Sequence, residues 1–221
     1  MSAPLRIAIV DYGMGNRRSV QKAMEHVGAR ATITREHDEL RHADGLVLPG
    51  VGAFPQAMTN LEALGLRELI LTRAAAGTPV LGICLGMQLL FERSIELEPT
   101  DGLGLIPGDV TWLDGGGRRI PHIGWNEVRF ERASRLTEGL PRDGAPFYHV
   151  HSLAVRPRDP RDVIATTEYG ERFATIVGHD AVLGVQFHPE KSSLIGLRML
   201  ANFGAICGGR APELTGAAAR P

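Results

Sequence analysis

The sequence predicts an α/β fold: an open, mostly parallel sheet flanked by helices, with additional antiparallel strands in the second half. Three observations predict it. Wholly apolar runs such as Ile7-Ala8-Ile9-Val10 and Val80-Leu81-Gly82-Ile83 alternate with segments of helical period across the first half. Strands that are apolar throughout suit a sheet covered on both faces, which is the condition of parallel strands. Beyond Val110 the strand runs crowd together, separated by Pro107-Gly108, Gly115-Gly116-Gly117 and Asp143-Gly144, as hairpins require.

The elements follow in order. Arg6–Val10 is a buried strand that ends in the turn-rich Asp11-Tyr12-Gly13-Met14-Gly15-Asn16. Asn16 is expected to cap a helix carrying Val20, Ala23, Met24 and Val27, stopped by Gly28. A strand at 31–34 precedes Gly45–Leu48, which runs into Pro49-Gly50-Val51-Gly52. A helical region at 54–76 leads to the strand at 79–83, then Cys84, then a helix beginning near Met87-Gln88-Leu89-Leu90-Phe91. Strands are expected at 110–113, 127–130, 147–155, 163–167, 174–177 and 182–187, and a last helix at 192–207 stopped by Gly208-Gly209. The first half is flavodoxin-like in this reading. Residues 1–209 form one domain and 210–221, rich in Ala, Gly and Pro, a disordered tail.

Composition narrows the function classes. The 221 residues suffice for a single domain with a substantial core. A net charge of −1 leaves no basic surplus for a nucleic-acid backbone, and no apolar run approaches the ~18 residues of a membrane span. The N-terminus enters a strand without a leader pattern, so the expected setting is cytoplasmic. Two cysteines, Cys84 and Cys207, do not make a disulfide scaffold there.

Gly82-Ile83-Cys84-Leu85-Gly86 between a buried strand and a helix has the layout of a nucleophile elbow. Small residues on either side tolerate the sharp turn, which lifts the sulfur out of the sheet at a helix N-terminus, where thiolate is favoured. The competing reading, a buried core cysteine, is what free cysteines usually are.

A thiol nucleophile needs a base, and the base a group that orients it. Val185-Gln186-Phe187-His188-Pro189-Glu190-Lys191, at the end of a strand, offers His188 as base and Glu190 as orienter, with Pro189 restraining the backbone between them. Alone, His-Pro-Glu reads as a surface loop; with the cysteine elbow it reads as the rest of a triad. His26, His37, His42 and His179 fall on expected surfaces; His122 and His151 stand apart from them, and His151, inside a strand, could line the same cleft. His151 ranks below His188 because no carboxylate is near it in sequence. For the oxyanion formed on attack, the expected donors are the Leu85 N–H and the Gly50-Val51-Gly52 segment, which follows a neighbouring strand. An ordinary strand-end turn is the alternative for that segment.

With these elements placed, the chain resembles the class I, or triad, glutamine amidotransferases, and among them the glutaminase subunits of imidazole glycerol phosphate synthases of histidine biosynthesis. The resemblance spans about Arg6 to Cys207. It rests on Gly82-Ile83-Cys84-Leu85-Gly86-Met87-Gln88 and His188-Pro189-Glu190 for the class. Asp11-Tyr12-Gly13-Met14-Gly15-Asn16, Leu48-Pro49-Gly50-Val51-Gly52-Ala53-Phe54, Pro121-His122-Ile123-Gly124-Trp125-Asn126 and Phe187 to Ser192 carry it for the narrower group. It implies Cys84 as nucleophile, His188 as base and Glu190 as its orienter, with Gln88 and the backbone around His151 and Ser152 holding glutamine. It places Asn16, Trp125, Tyr148 and Lys191 toward a (β/α)8-barrel synthase partner in a heterodimer that receives the ammonia, and it implies no metal and no cofactor. His149 and Leu153 stand where the family often has an aromatic pair, which puts glutamine contacts by those two side chains in doubt. Another glutaminase of the class, a stand-alone cysteine hydrolase and a non-catalytic binding module remain as alternatives.

Overall fold

A computed structural model describes residues 5–209; the predicted tail at 210–221 lies outside the described residues. The first half runs β1 (Arg6–Val10), α1 (Arg17–His26), β2 (Arg30–Thr34), α2 (His37–Arg41), β3 (Gly45–Leu48), α3 (Phe54–Ala63), α4 (Leu66–Ala75), β4 (Val80–Ile83) and α5 (Leu85–Leu89). The second half adds β5 (Phe91–Ser94), β6 (Thr100–Asp101), β7 (Ile106–Trp112), β8 (His122–Phe130), β9 (Ala145–His151), β10 (Leu153–Pro157), β11 (Val163–Tyr169), β12 (Glu171–His179), β13 (Val182–Val185) and α6 (Ser193–Cys207).

All these strands join one sheet. Its parallel part has the order β2-β1-β3-β4-β13, the flavodoxin-like arrangement. The antiparallel β12, β10 and β7 continue from β13, and β11, β8 and β9 branch from β12. The predicted fold class is the observed one.

The apolar strands have the expected cause. Ile7 and Ile9 of β1 pack with Val20 and Met24 of α1 and with Met199, Leu200 and Phe203 of α6. Ala8 and Val10, facing the other way, pack with Leu40, Phe54, Leu61, Leu66 and Ile70 from α2, α3 and α4. Both faces are covered, so neither register of the alternation is polar.

Several boundaries differ from expectation. The helical region at 54–76 is two helices, because Gly65 takes a left-handed φ of 62° between them. The strand at 147–155 is two, β9 and β10, broken at Ser152. The helix after Cys84 is a single buried turn of five residues. Phe91 belongs instead to β5, paired with Ile106, since a segment with no polar face has no solvent side on which to lie as a longer helix. Asn16 occupies the N-cap position of α1 but makes no capping hydrogen bond.

The placement that matters follows from parallelism. β1, β3, β4 and β13 all point the same way, so residues 11–16, 49–52, Cys84 and 186–190 gather at one edge of the sheet. Ligands of such sheets bind beyond the carboxyl ends of the strands.

Candidate active site

Cys84 follows β4 directly and has φ 55° and ψ −111°, a left-handed conformation that costs a non-glycine residue ~1–3 kcal/mol. Its neighbours leave no alternative. A Cβ on Gly86 would lie 1.7 Å from the Leu48 carbonyl oxygen, and one on Gly82 would lie 2.5 Å from the Gly86 carbonyl oxygen. The turn is pinned to β13 by the Cys84 N–H donating to the Val185 carbonyl at 2.8 Å. Cys84 is 6% exposed. Its thiol donates to the Val150 carbonyl at 3.6 Å and accepts from Gln186 Nε2 at 3.8 Å.

His188 lies just past the end of β13, beside β4 in the sheet. Its Nδ1–H donates to Glu190 Oε1 at 2.8 Å, and both side chains are buried. Nε2 is buried and has no well-aligned hydrogen-bond partner among the described residues; such contacts are commonly loose before substrate binds. Burial alone would lower the imidazole pKa. Interaction with the Cys84 thiol, then with Glu190, outweighs it and raises the pKa to about 9. The His188 backbone is held as firmly. Its N–H donates to the Tyr148 carbonyl at 2.9 Å, and the Ser192 hydroxyl donates to its carbonyl at 2.6 Å while accepting from the Tyr148 N–H at 3.0 Å.

Asn16 explains its missing cap here. Its side-chain amide donates to Glu190 Oε1 at 2.7 Å and sits 3.3 Å from His188 Nδ1. With that nitrogen's proton committed to Glu190, the amide serves the carboxylate. The residue read as a helix cap and as a partner contact thus has its side chain on the His–Glu pair.

The segment at 49–52 packs beside the elbow: a Cβ on Gly50 would reach the Tyr12 hydroxyl and come within 3.1 Å of Leu85 Cβ. Tyr12 donates its phenol proton to the Pro49 carbonyl. Burial first, and the nearby Cys84 second, raise that phenol far above its ordinary pKa, so it stays a donor. Among the described residues, the N–H groups of Gly50, Val51 and Gly52 donate to no protein acceptor. Leu85 opens α5, where its N–H has no intrahelical partner. Val51 is 41% exposed.

Gln88 is buried and donates to the Leu153 carbonyl at 3.5 Å and to Gln186 Oε1 at 3.2 Å. Ser152, half-buried between β9 and β10, gives its carbonyl to the Leu113 N–H at 2.9 Å. His149 and Leu153 are buried in the sheet. Trp125 is 54% exposed and meets Tyr148 edge to face at 6.2 Å between ring centroids, while Lys191 is exposed. Sequence reasoning missed Tyr12, Gln186 and Ser192 as site residues. All three stand in the segments that carry the functional residues, and the signal for Gln186 was its place at the end of a strand parallel to the one carrying Cys84.

His151 does not face the cysteine as a base. Its Nδ1–H donates to the Leu153 carbonyl at 2.8 Å, so its Nε2 accepts from His122 Nδ1–H at 3.0 Å, and His122 Nε2 accepts from Asn126 at 3.2 Å. His149 likewise donates to the Phe147 carbonyl at 3.1 Å and accepts from Thr175 at 3.1 Å. His122 and His151 are therefore held neutral, since a second proton on either would set donor against donor, while the Thr175 hydroxyl beside His149 can turn to accept. Burial, chiefly, lowers His122 to about 4, His151 to about 3 and His149 well below the usual value.

These rings make stability depend on pH. The unfolded chain takes up protons on these imidazoles below ~6.5, and the folded chain refuses them. Their contribution is therefore undiminished above that pH and falls as pH drops from ~6.5 toward 5, by up to ~1.4 kcal/mol per pH unit for each imidazole, whereas His188, raised to about 9, loses its contribution in the opposite direction, as pH rises above ~6.5. Denaturant midpoints measured at pH 7, 6 and 5 check this, and a flat profile would contradict it.

The comparisons with known proteins agree with this geometry. The model of the family "Glutamine amidotransferase class-I" matches residues 8–206. The chain is 50% identical over 200 residues to "Imidazole glycerol phosphate synthase subunit HisH" of Moorella thermoacetica, covering 90% of this chain and 94% of that protein. It is 48% identical over 200 residues to the protein of the same name from Aquifex aeolicus, covering 90% and 96%. Among solved structures it is similar to a crystal structure of a glutamine amidotransferase, with TM-score 0.73, 20% identity and coverage of 91% and 98%. It also resembles the glutaminase domain of Trypanosoma brucei CTPS with bound acivicin, with TM-score 0.67, 19% identity and coverage of 95% and 96%. At these identities the two structures speak for the fold.

Proposed function

The chain belongs to the class-I glutamine amidotransferase family, and from that premise we infer that it is the glutaminase subunit of an imidazole glycerol phosphate synthase in histidine biosynthesis. It hydrolyses glutamine to glutamate and ammonia, and a synthase subunit consumes the ammonia. The observation that carries this reading is the junction of Cys84, strained at the tip of β4, with a buried His188–Glu190 pair at the tip of the adjacent β13.

We propose residues 1–209 as one amidotransferase domain, with Cys84 as nucleophile, His188 as acid and base, and Glu190 as the group that orients and charge-stabilises the imidazole. The thiolate attacks the side-chain amide carbon of glutamine, and negative charge moves to the carbonyl oxygen. The N–H groups of Leu85 and of the Gly50-Val51-Gly52 segment meet that oxygen. An imidazole with pKa about 9 carries its proton at neutral pH and gives it to the departing nitrogen. Ammonia leaves and a glutamyl thioester remains on Cys84. Water then attacks the thioester carbon, His188 takes its proton, the C–S bond breaks and glutamate is released. Gln88 and the backbone around His151 and Ser152 hold the substrate.

The synthase partner is proposed to be a (β/α)8 barrel, docked over Asn16, Trp125, Tyr148 and Lys191. Free ammonia at neutral pH is mostly ammonium and then no nucleophile, so transfer within an interface is favoured. A cytoplasmic setting is proposed with it, since a reactive thiol needs reducing surroundings. Among the described residues no helix is long and apolar enough to cross a membrane.

The test is glutamate release from glutamine by the purified chain alone and with the synthase subunit loaded with its phosphoribosyl ligand. Weak activity alone and strong activation in the loaded complex are expected. Equal turnover in both would contradict the proposal, as would cleavage of peptide substrates in preference to glutamine.

A further inference from the structure

We propose that Gln186 is a further catalytic residue, an amide donor that stabilises the Cys84 thiolate and links it to Gln88. This rests on Cys84 being the nucleophile.

Register puts the two side by side. In the parallel β4–β13 pair Val185 lies opposite Ile83, so the next residues, Gln186 and Cys84, leave the sheet together. Gln186 is fully buried, its N–H donates to the Thr175 carbonyl at 2.9 Å, and its side-chain Nε2 reaches Cys84 Sγ at 3.8 Å.

The orientation of the amide follows from its partners. The Leu153 carbonyl can only accept, so the atom of Gln88 facing it is Nε2. The same Nε2 faces Gln186 at 3.2 Å, so that atom of Gln186 is Oε1. Nε2 of Gln186 is left to face the sulfur. A donor there is needed. In the thiol form the sulfur donates to the Val150 carbonyl at 3.6 Å; once ionised it meets that carbonyl as a like-signed dipole. Gln186 supplies an N–H on the charged form, and hydrogen bonds to charged groups are the strong ones. Gln88 is proposed to touch the substrate, so the donor is tied to the occupied state of the site.

The test is the rate at which iodoacetamide alkylates Cys84 across pH, with peptide mapping to separate Cys207, in the parent chain, Gln186→Met and Gln186→Glu. Loss of the donor should raise the midpoint by ~1 pH unit in Gln186→Met. A more basic thiolate is also more nucleophilic, so the profiles should cross. Gln186→Met should react ~3-fold slower below the midpoint and ~3-fold faster on the alkaline plateau. Gln186→Glu, with a carboxylate beside the sulfur, should shift further the same way. Superimposed profiles, or a uniform loss without a shift, would assign Gln186 a packing role only. If neither variant folds, the same titration in Gln88→Met, which frees the Gln186 amide to turn, should give a smaller upward shift, and no shift would overturn the inference. A parent Cys84 that reacts like an ordinary thiol at neutral pH would instead overturn its reading as nucleophile.

Discussion

Replacing Cys84 with alanine is expected to lower glutamate release at least ~10⁴-fold, a loss of ~5.5 kcal/mol in transition-state stabilisation. The synthase subunit bound to the variant should still make product from added ammonium salt. The magnitude follows from covalent catalysis: without the sulfur no thioester forms, and the oxyanion donors act on an uncatalysed attack by water. The pair of assays separates the readings that share this fold. A binding module would support glutamine-dependent synthesis after the change, and that result would remove the catalytic assignment. The backbone at this position adds a second readout. At φ 55° a Cβ is strained, so Cys84→Gly should unfold at a higher temperature than Cys84→Ala, although glycine is usually the less stable of the two. The reverse order would show that the turn stores no strain.

Gly86→Ala is expected to cost more stability than any single surface change, above ~3 kcal/mol, or to prevent folding. The added Cβ falls 1.7 Å from the Leu48 carbonyl oxygen and 2.7 Å from its carbon. Both are backbone atoms of β3, which cannot rotate away as a side chain does. The elbow or the sheet must move, and either displaces Cys84 from His188. The control is Gly204→Ala, in α6, where a Cβ would meet only Leu5 Cδ2 at 3.7 Å. That helical site should be neutral or gain up to ~1 kcal/mol. Thermal unfolding and glutaminase activity of the two variants make the comparison, and a Gly86→Ala chain with unchanged midpoint would refute the crowding argument.

Local chemistry was legible where one short segment carries its own explanation. Gly82 and Gly86 announce a turn with no room, and the coordinates give the atoms that fill it. His188 and Glu190, one residue apart across Pro189, meet at 2.8 Å. Asn16 was misread as a cap because its residue type and helix-start position suggest one, while its backbone is αL and its amide is taken by Glu190, far along the chain. The helix after Cys84 was overestimated because an apolar run of that length does not reveal whether it continues as a helix or returns to the sheet, as Phe91 does.

The sequence by itself determined which residues can do chemistry and which backbone turns they sit on. Side-chain type, glycine spacing and strand periodicity are local properties of a chain. Only the tertiary structure decided which of those residues meet. β13, from near the end of the chain, inserts beside β4, and that pairing brings Gln186 and His188 to Cys84; β1 beside β3 brings Tyr12 to the 49–52 segment, and the shared strand ends bring Asn16 to Glu190. Such contacts join residues up to 174 positions apart. They arise from sheet order and register, which the burial of every strand face selects together and no single segment encodes.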